Sequence, residues 1–236
     1  MDKLIRGILH FRRHELPARR DVFAQLAKGQ RPDTLFIACC DSRVVPNLFS
    51  ATEPGDLFAV RTIGNFMPPA GEDGQVHGDV SEGAALEYSL QVLDIENIIV
   101  CGHSYCGAMG ALLSKADLTG MPNLEQWLEL GKPSVERFER ATHIDPSLPA
   151  VDRLSQVNVL QQLDHLRTYR FVREREDAGK VHLHGWWFDV STGETHIYDE
   201  ERGGFVLLDD EEATRILDHR VPAPHLTLVP PSGSDV

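Results

Sequence analysis

Asn97-Ile98-Ile99-Val100-Cys101-Gly102, followed by His103-Ser104-Tyr105-Cys106, is a short apolar run that ends abruptly in a glycine, an imidazole and a thiol. A continuous run of this length, rich in β-branched residues, reads as a strand buried on both faces. Gly102-His103 then turns it into a helix. Thr34-Leu35-Phe36-Ile37-Ala38-Cys39, after the break Arg31-Pro32-Asp33, has the same character and also ends on a cysteine. Asp56-Leu57-Phe58-Ala59-Val60-Arg61, after Glu53-Pro54-Gly55, reads as another strand, and Val181 to Val190 as a fourth. Thr195-His196-Ile197-Tyr198 adds an edge strand. Helical spacing fills the intervals at 79–93 and over most of 123–178. Buried strands alternating with helices predict an α/β domain with a mainly parallel central sheet of four to five strands. Ligands of such sheets bind at the carboxyl ends of the strands, where Cys39, His103 and Cys106 fall.

Residues 1–29 form a separate expectation. Leu4, Ile5, Ile8, Leu9 and Phe11 recur at helical spacing, as do Phe23, Leu26 and Ala27 after Pro17. An arm this small cannot fold alone. Residues 30–220 make up the α/β domain, and 221–236 have the Pro/Gly/Ser composition of a flexible tail. With 236 residues and 42% hydrophobic content the chain can bury a core without staples. No apolar run approaches the ~18 residues of a membrane span, and no secretory signal is visible at the start. The net charge of −13 argues against a nucleic-acid backbone as partner. Four cysteines at 39, 40, 101 and 106 are clustered rather than spread. That pattern suits a metal or catalysis in a reducing, cytoplasmic compartment rather than a disulfide framework.

His103 and Cys106 stand at i and i+3. With one more thiolate, from Cys39, they make a two-sulfur, one-nitrogen set that favours tetrahedral zinc and leaves a fourth position open. The alternative is a core histidine among ordinary buried cysteines. Asp41 and Arg43 lie two and four residues beyond Cys39. Such a carboxylate could bind a metal itself, or be held off it by the arginine in a bidentate pair.

Cys39-Cys40-Asp41-Ser42-Arg43 followed by His103-Ser104-Tyr105-Cys106 resembles the β-class carbonic anhydrase signature, Cys-x-Asp-x-Arg then His-x-x-Cys. The resemblance extends through Gly29 to Pro32, Pro54 to Asn65, Gly83 to Tyr88, Leu166 to Tyr169 and His184-Gly185-Trp186, and is to the plant and cyanobacterial branch. It implies a zinc lyase interconverting carbon dioxide and bicarbonate through zinc-bound hydroxide, with one zinc per chain on Cys39, His103 and Cys106. It gives Asp41 the role of orienting the hydroxide and Arg43 that of its partner. In members with a closed site the same aspartate binds the zinc. The resemblance also implies a substrate pocket of Gln30, Phe58, Ile63, Tyr88 and Gly107, a homodimer or higher oligomer embraced by the N-terminal arm, and no membrane or nucleic-acid partner. The cyanobacterial likeness is compatible with a carboxysomal association. Hydrolysis of carbonyl sulfide or carbon disulfide on the same fold is the alternative, and a zinc or thiol redox protein a remote one.

Two features depart from the family pattern. Cys40 replaces the usual serine and reads as a packed bystander, like Cys101 inside its strand. Some members carry a second, inhibitory bicarbonate pocket built from a Trp, an Arg and a Tyr. Here those positions correspond to Phe36, Arg61 and Phe188, which implies a site that stays open.

Overall fold

The computed structural model describes residues 1–140 and 144–219. The tail expected at 221–236 lies outside the described residues. The chain opens with α1 (Asp2–His10), a wide π-type turn at Phe11–Glu15 and α2 (Leu16–Leu26), with Pro17 in its first turn. None of these three segments has a buried residue. Leu4, Ile5, Ile8, Leu9 and Phe11 are all at least 40% exposed. The arm is tied to the body by Arg19, whose guanidinium bonds both oxygens of Glu53.

The body runs β1 (Thr34–Cys39), α3 (Pro46–Phe49), β2 (Leu57–Thr62), α4 (Ser81–Glu87, extended by a π-type turn to Val92), β3 (Asn97–His103), α5 (Gly107–Ser114), α6 (Pro122–Leu128), α7 (Lys132–Arg140), α8 (Ala150–Thr168), α9 (Arg170–Asp177), β4 (His182–Phe188), β5 (Thr195–Asp199), β6 (Gly204–Leu207) and α10 (Asp210–His219). The sheet order is β2-β1-β3-β4-β5-β6. The first four strands in that order are parallel and the last two pair antiparallel. The sheet therefore has six strands among the described residues, where four to five were expected. The extra strand is β6, four residues long, too short to show a period. It also moves β5 off the edge.

Side-chain alternation along the central strands divides the core. Leu35, Ile37, Ile98 and Val100 pack with Leu86, Leu90, Val159, Leu163 and Leu166 of the helices. Phe36, Ala38, Ile99 and Cys101 face the other way, with Val44 and Phe188. Cys101 is thus the core residue its position predicted. A third cluster of Phe66, Met109, Leu128 and Leu154 lies under the carboxyl ends of β1 and β3, where it meets Cys39 and Cys106.

α8 approaches β3 closely at Gly102, where an added Cβ would lie 2.8 Å from Val159 Cγ2 and 2.9 Å from Ser155 Oγ. Gly102→Ala is expected to lower stability by about 1–3 kcal/mol through overpacking. A thermal melt against the parent protein checks this.

Candidate metal centre

Cys39 ends β1, His103 ends β3, and Cys106 precedes the first turn of α5. Parallel pairing of β1 with β3 brings these residues together although more than sixty positions separate Cys39 from His103. Their Sγ and ring nitrogen atoms lie within 4.8 Å of one another, and all three residues are buried. The His103 ring is oriented by Nδ1, which donates to the Ser104 carbonyl at 2.8 Å. Nε2 is left buried with no hydrogen-bond partner. An unpartnered, fully buried imidazole nitrogen facing two thiols is a donor set that fits zinc. Of the two readings left open by the sequence, a hydrogen-bonded core histidine and a ligand, the unpartnered Nε2 argues against the first.

The two thiols act on each other directly. Hydrogen bonding from Cys106, with smaller help from the Asp41 and Gly64 N–H groups, lowers Cys39. The neighbouring Cys39 thiolate and burial push Cys106 up. A divalent cation at the centre would reverse the second effect and hold both as thiolates.

Asp41 and Arg43 form the bidentate pair. Arg43 Nε donates to Oδ1 at 2.9 Å and Nη2 to Oδ2 at 2.7 Å, and the Arg43 N–H adds a third bond to Oδ1. These bonds hold the Asp41 carboxyl well below the usual carboxylate range. Cys40 corrects an expectation. It is exposed rather than packed, and its thiol donates to the Arg61 carbonyl at 3.1 Å. In an extended strand end, adjacent side chains point to opposite faces, so Cys40 cannot share the site of Cys39.

The expected pocket residues fall into two groups. Ile63 and Gly107 sit beside the ligands. Ile63 precedes Gly64, whose N–H points at Cys39 Sγ, and its carbonyl is fixed by Trp127 Nε1 at 2.8 Å. Gly107 opens α5, where N–H groups have no intrahelical acceptor. Phe58 and Tyr88 instead stack on each other at 5.9 Å, with Phe58 on β2, one of the two edge strands of the sheet. Gln30 is exposed in the loop after α2.

The positions expected to lack a second anion pocket are occupied. Phe36 meets Phe49 and Trp186 edge-on, and Phe49 stacks on Phe188 at 4.5 Å. Arg61 spends its guanidinium on the carbonyls of Cys39, Asp41 and Val44.

Sequence reasoning missed the supports of the ligand turn. Ser155 Oγ bonds both the N–H and the carbonyl of His103. Ser104 Oγ donates to Asp189 and accepts from the Val190 N–H. Asp152 accepts from the Tyr105 N–H. These partners lie far away in the chain, on α8 and after β4, and no local pattern marks them.

A family model for carbonic anhydrase matches residues 34–195. The chain is 41% identical to a carbonic anhydrase of Synechococcus elongatus over 199 residues, 82% of this chain and 70% of that protein. It is 41% identical to one from Pseudomonas aeruginosa over 216 residues, 91% and 95% of the two chains. Among solved structures, the β-carbonic anhydrase CcaA superposes with a TM-score of 0.80 at 39% identity, covering 89% of this chain and 92% of that one. A tetrameric β-carbonic anhydrase of Sordaria macrospora gives 0.70 at 28% identity, covering 83% and 95%.

Proposed function

Because the chain belongs to the carbonic anhydrase family, in its β class, we propose that Cys39, His103 and Cys106 hold its catalytic zinc ion and that Asp41 and Arg43 orient the nucleophile. The protein is a zinc lyase that reversibly hydrates carbon dioxide to bicarbonate. Zinc bound at the three donors supplies the nucleophile by acidifying water toward neutral pH. The observation that carries the assignment is the buried, unpartnered His103 Nε2 facing two thiols. Asp41, ionised and fixed on two sides by Arg43, offers an acceptor of set direction to the attacking group. Carbon dioxide is small and apolar, so an apolar wall with one or two N–H donors suffices to place it. Ile63 and the Gly107 N–H supply part of that wall.

Phe58, Tyr88 and Gln30 complete the pocket of a second copy in this reading. Their position on an exposed edge, away from their own chain's ligands, supports it. So does the N-terminal arm, whose apolar stripe is left exposed among the described residues. The functional unit is a homodimer or a multiple of it, with the arm of residues 1–29 reaching around the partner. No helix among the described residues is long and apolar enough to cross a membrane. Two thiol ligands and an exposed free Cys40 suit a reducing compartment, and we place the protein in the cytoplasm.

Zinc content, measured with stopped-flow carbon dioxide hydration, tests the assignment. One zinc per chain and a rate lost on chelation are expected; activity that survives complete zinc removal would overturn it. The pH course follows from Asp41. Its carboxyl is depressed, so the pair with Arg43 is intact above about pH 4 and is lost only as pH falls through the lowered value. Asp41 therefore adds no titration between about pH 6.5 and 9, and the activity should rise there with the single titration of the water that zinc would acidify. Because aromatic rings fill the positions around Phe36 and Phe188, bicarbonate should inhibit hyperbolically. Sigmoidal inhibition by bicarbonate would contradict this.

A further inference from the structure

Tyr105 lies between His103 and Cys106 with φ of +54°, in the left-handed region that residues other than glycine disfavour. Both of its backbone polar groups are held from outside the turn. The N–H donates to Asp152 Oδ1 at 2.6 Å, and the carbonyl accepts from Arg43 Nη2 at 3.1 Å. The same Nη2 donates to Asp41 Oδ2. A continuous chain of hydrogen bonds thus runs Asp152, Tyr105 backbone, Arg43, Asp41. Asp152 is 3% exposed, in the first turn of α8, and α8 is itself locked to His103 through Ser155. The fixed end of the chain is therefore Asp152. The loose end is Arg43, whose side chain is 46% exposed.

Asp41 stands two residues from a ligand, so its carboxylate has a second acceptable partner in the metal. Which partner it takes depends on how firmly Arg43 is placed. We propose that Asp152 is a positioning residue that keeps Asp41 on Arg43 and off the metal, by holding the Tyr105 backbone where its carbonyl anchors Arg43. Without the Asp152 acceptor the left-handed turn relaxes, the carbonyl leaves Arg43, and Asp41 is freed to occupy the fourth coordination position. This rests on the reading of Cys39, His103 and Cys106 as the metal ligands.

The test uses cobalt(II) in place of zinc in the full-length protein and azide as a probe of the open coordination position, followed by visible absorption. Asp152→Ala is expected to weaken azide at least tenfold, because Asp41 competes for the position. Asp152→Asn keeps a neutral acceptor and is expected to lose two- to fivefold. Adding Asp41→Asn to either variant should return azide affinity to that of Asp41→Asn alone. Unchanged azide binding in Asp152→Ala overturns the proposal, as does a loss that Asp41→Asn does not reverse, since that loss would reflect general distortion. If Asp152→Ala takes up no cobalt, Asp152→Asn decides: a loss reversed by Asp41→Asn supports the proposal and unchanged affinity overturns it. Failure of the parent protein to bind cobalt would instead refute the ligand reading on which this one stands.

Discussion

Cys106→Ala is expected to bind zinc at least about 100-fold more weakly than the parent protein and to lose carbon dioxide hydration with it. Loss of a group that merely orients a ligand already costs about 10–100-fold in metal affinity, and Cys106 is a ligand itself. Truncation leaves one thiol and one imidazole, too few donors for a stable tetrahedral site. The fold should survive, because Cys106 lies in the turn between β3 and α5 rather than inside the sheet, and alanine keeps its Cβ in the cluster of Phe66, Met109, Leu128 and Leu154. Cys40→Ser is the paired control. The Cys40 thiol donates to the Arg61 carbonyl, and a serine hydroxyl can make the same bond. That variant should keep full zinc and near-parent activity. Metal analysis after extensive dialysis reads both. Full zinc in Cys106→Ala, or its loss in Cys40→Ser, would mean that the wrong thiols have been assigned.

Asp41→Asn should have the second large effect, and a different signature. Removing one preorganised group from the reacting centre typically costs ~100–1,000-fold in turnover. Asparagine keeps an acceptor but loses the charge that secures Arg43, so the orientation of the nucleophile is lost while the metal ligands are untouched. Zinc content should remain near one per chain while the turnover number falls. The opposite result, depleted zinc with a normal rate per remaining site, would make Asp41 a structural ligand.

The parallel body of the sheet was legible because buried strands have a plain physical signature. Runs such as Thr34–Cys39 and Asn97–Gly102 have no polar face to conceal. The clustering of Cys39, His103 and Cys106 was legible for a related reason, since chemistry at such a sheet concentrates at strand ends and each of the three residues adjoins one. β6 escaped because four residues cannot show a period. Cys40 was misread because a thiol in a strand-end sequence resembles a small core residue; which side it faces is set by the Arg61 carbonyl across the β1–β2 pair. Asp152, Ser155 and Asp189 escaped entirely. An acidic residue in the first turn of a helix is common wherever helices begin, and only the packing of α8 on β3 reveals what that acid holds.

The aromatic cluster around Phe36 bears on how readily descendants of this sequence could acquire control by bicarbonate. Arg61 cannot turn to an incoming anion without abandoning the carbonyls of Cys39, Asp41 and Val44. Replacing Phe36 or Phe188 singly with a hydrogen-bonding residue would disrupt the packing with Phe49 and Trp186 and still free no donor. Each one-step intermediate would therefore be less stable and no better regulated. Selection would have to cross several such intermediates before inhibition conferred any advantage, so the unregulated state proposed above would be one that gradual evolution leaves with difficulty.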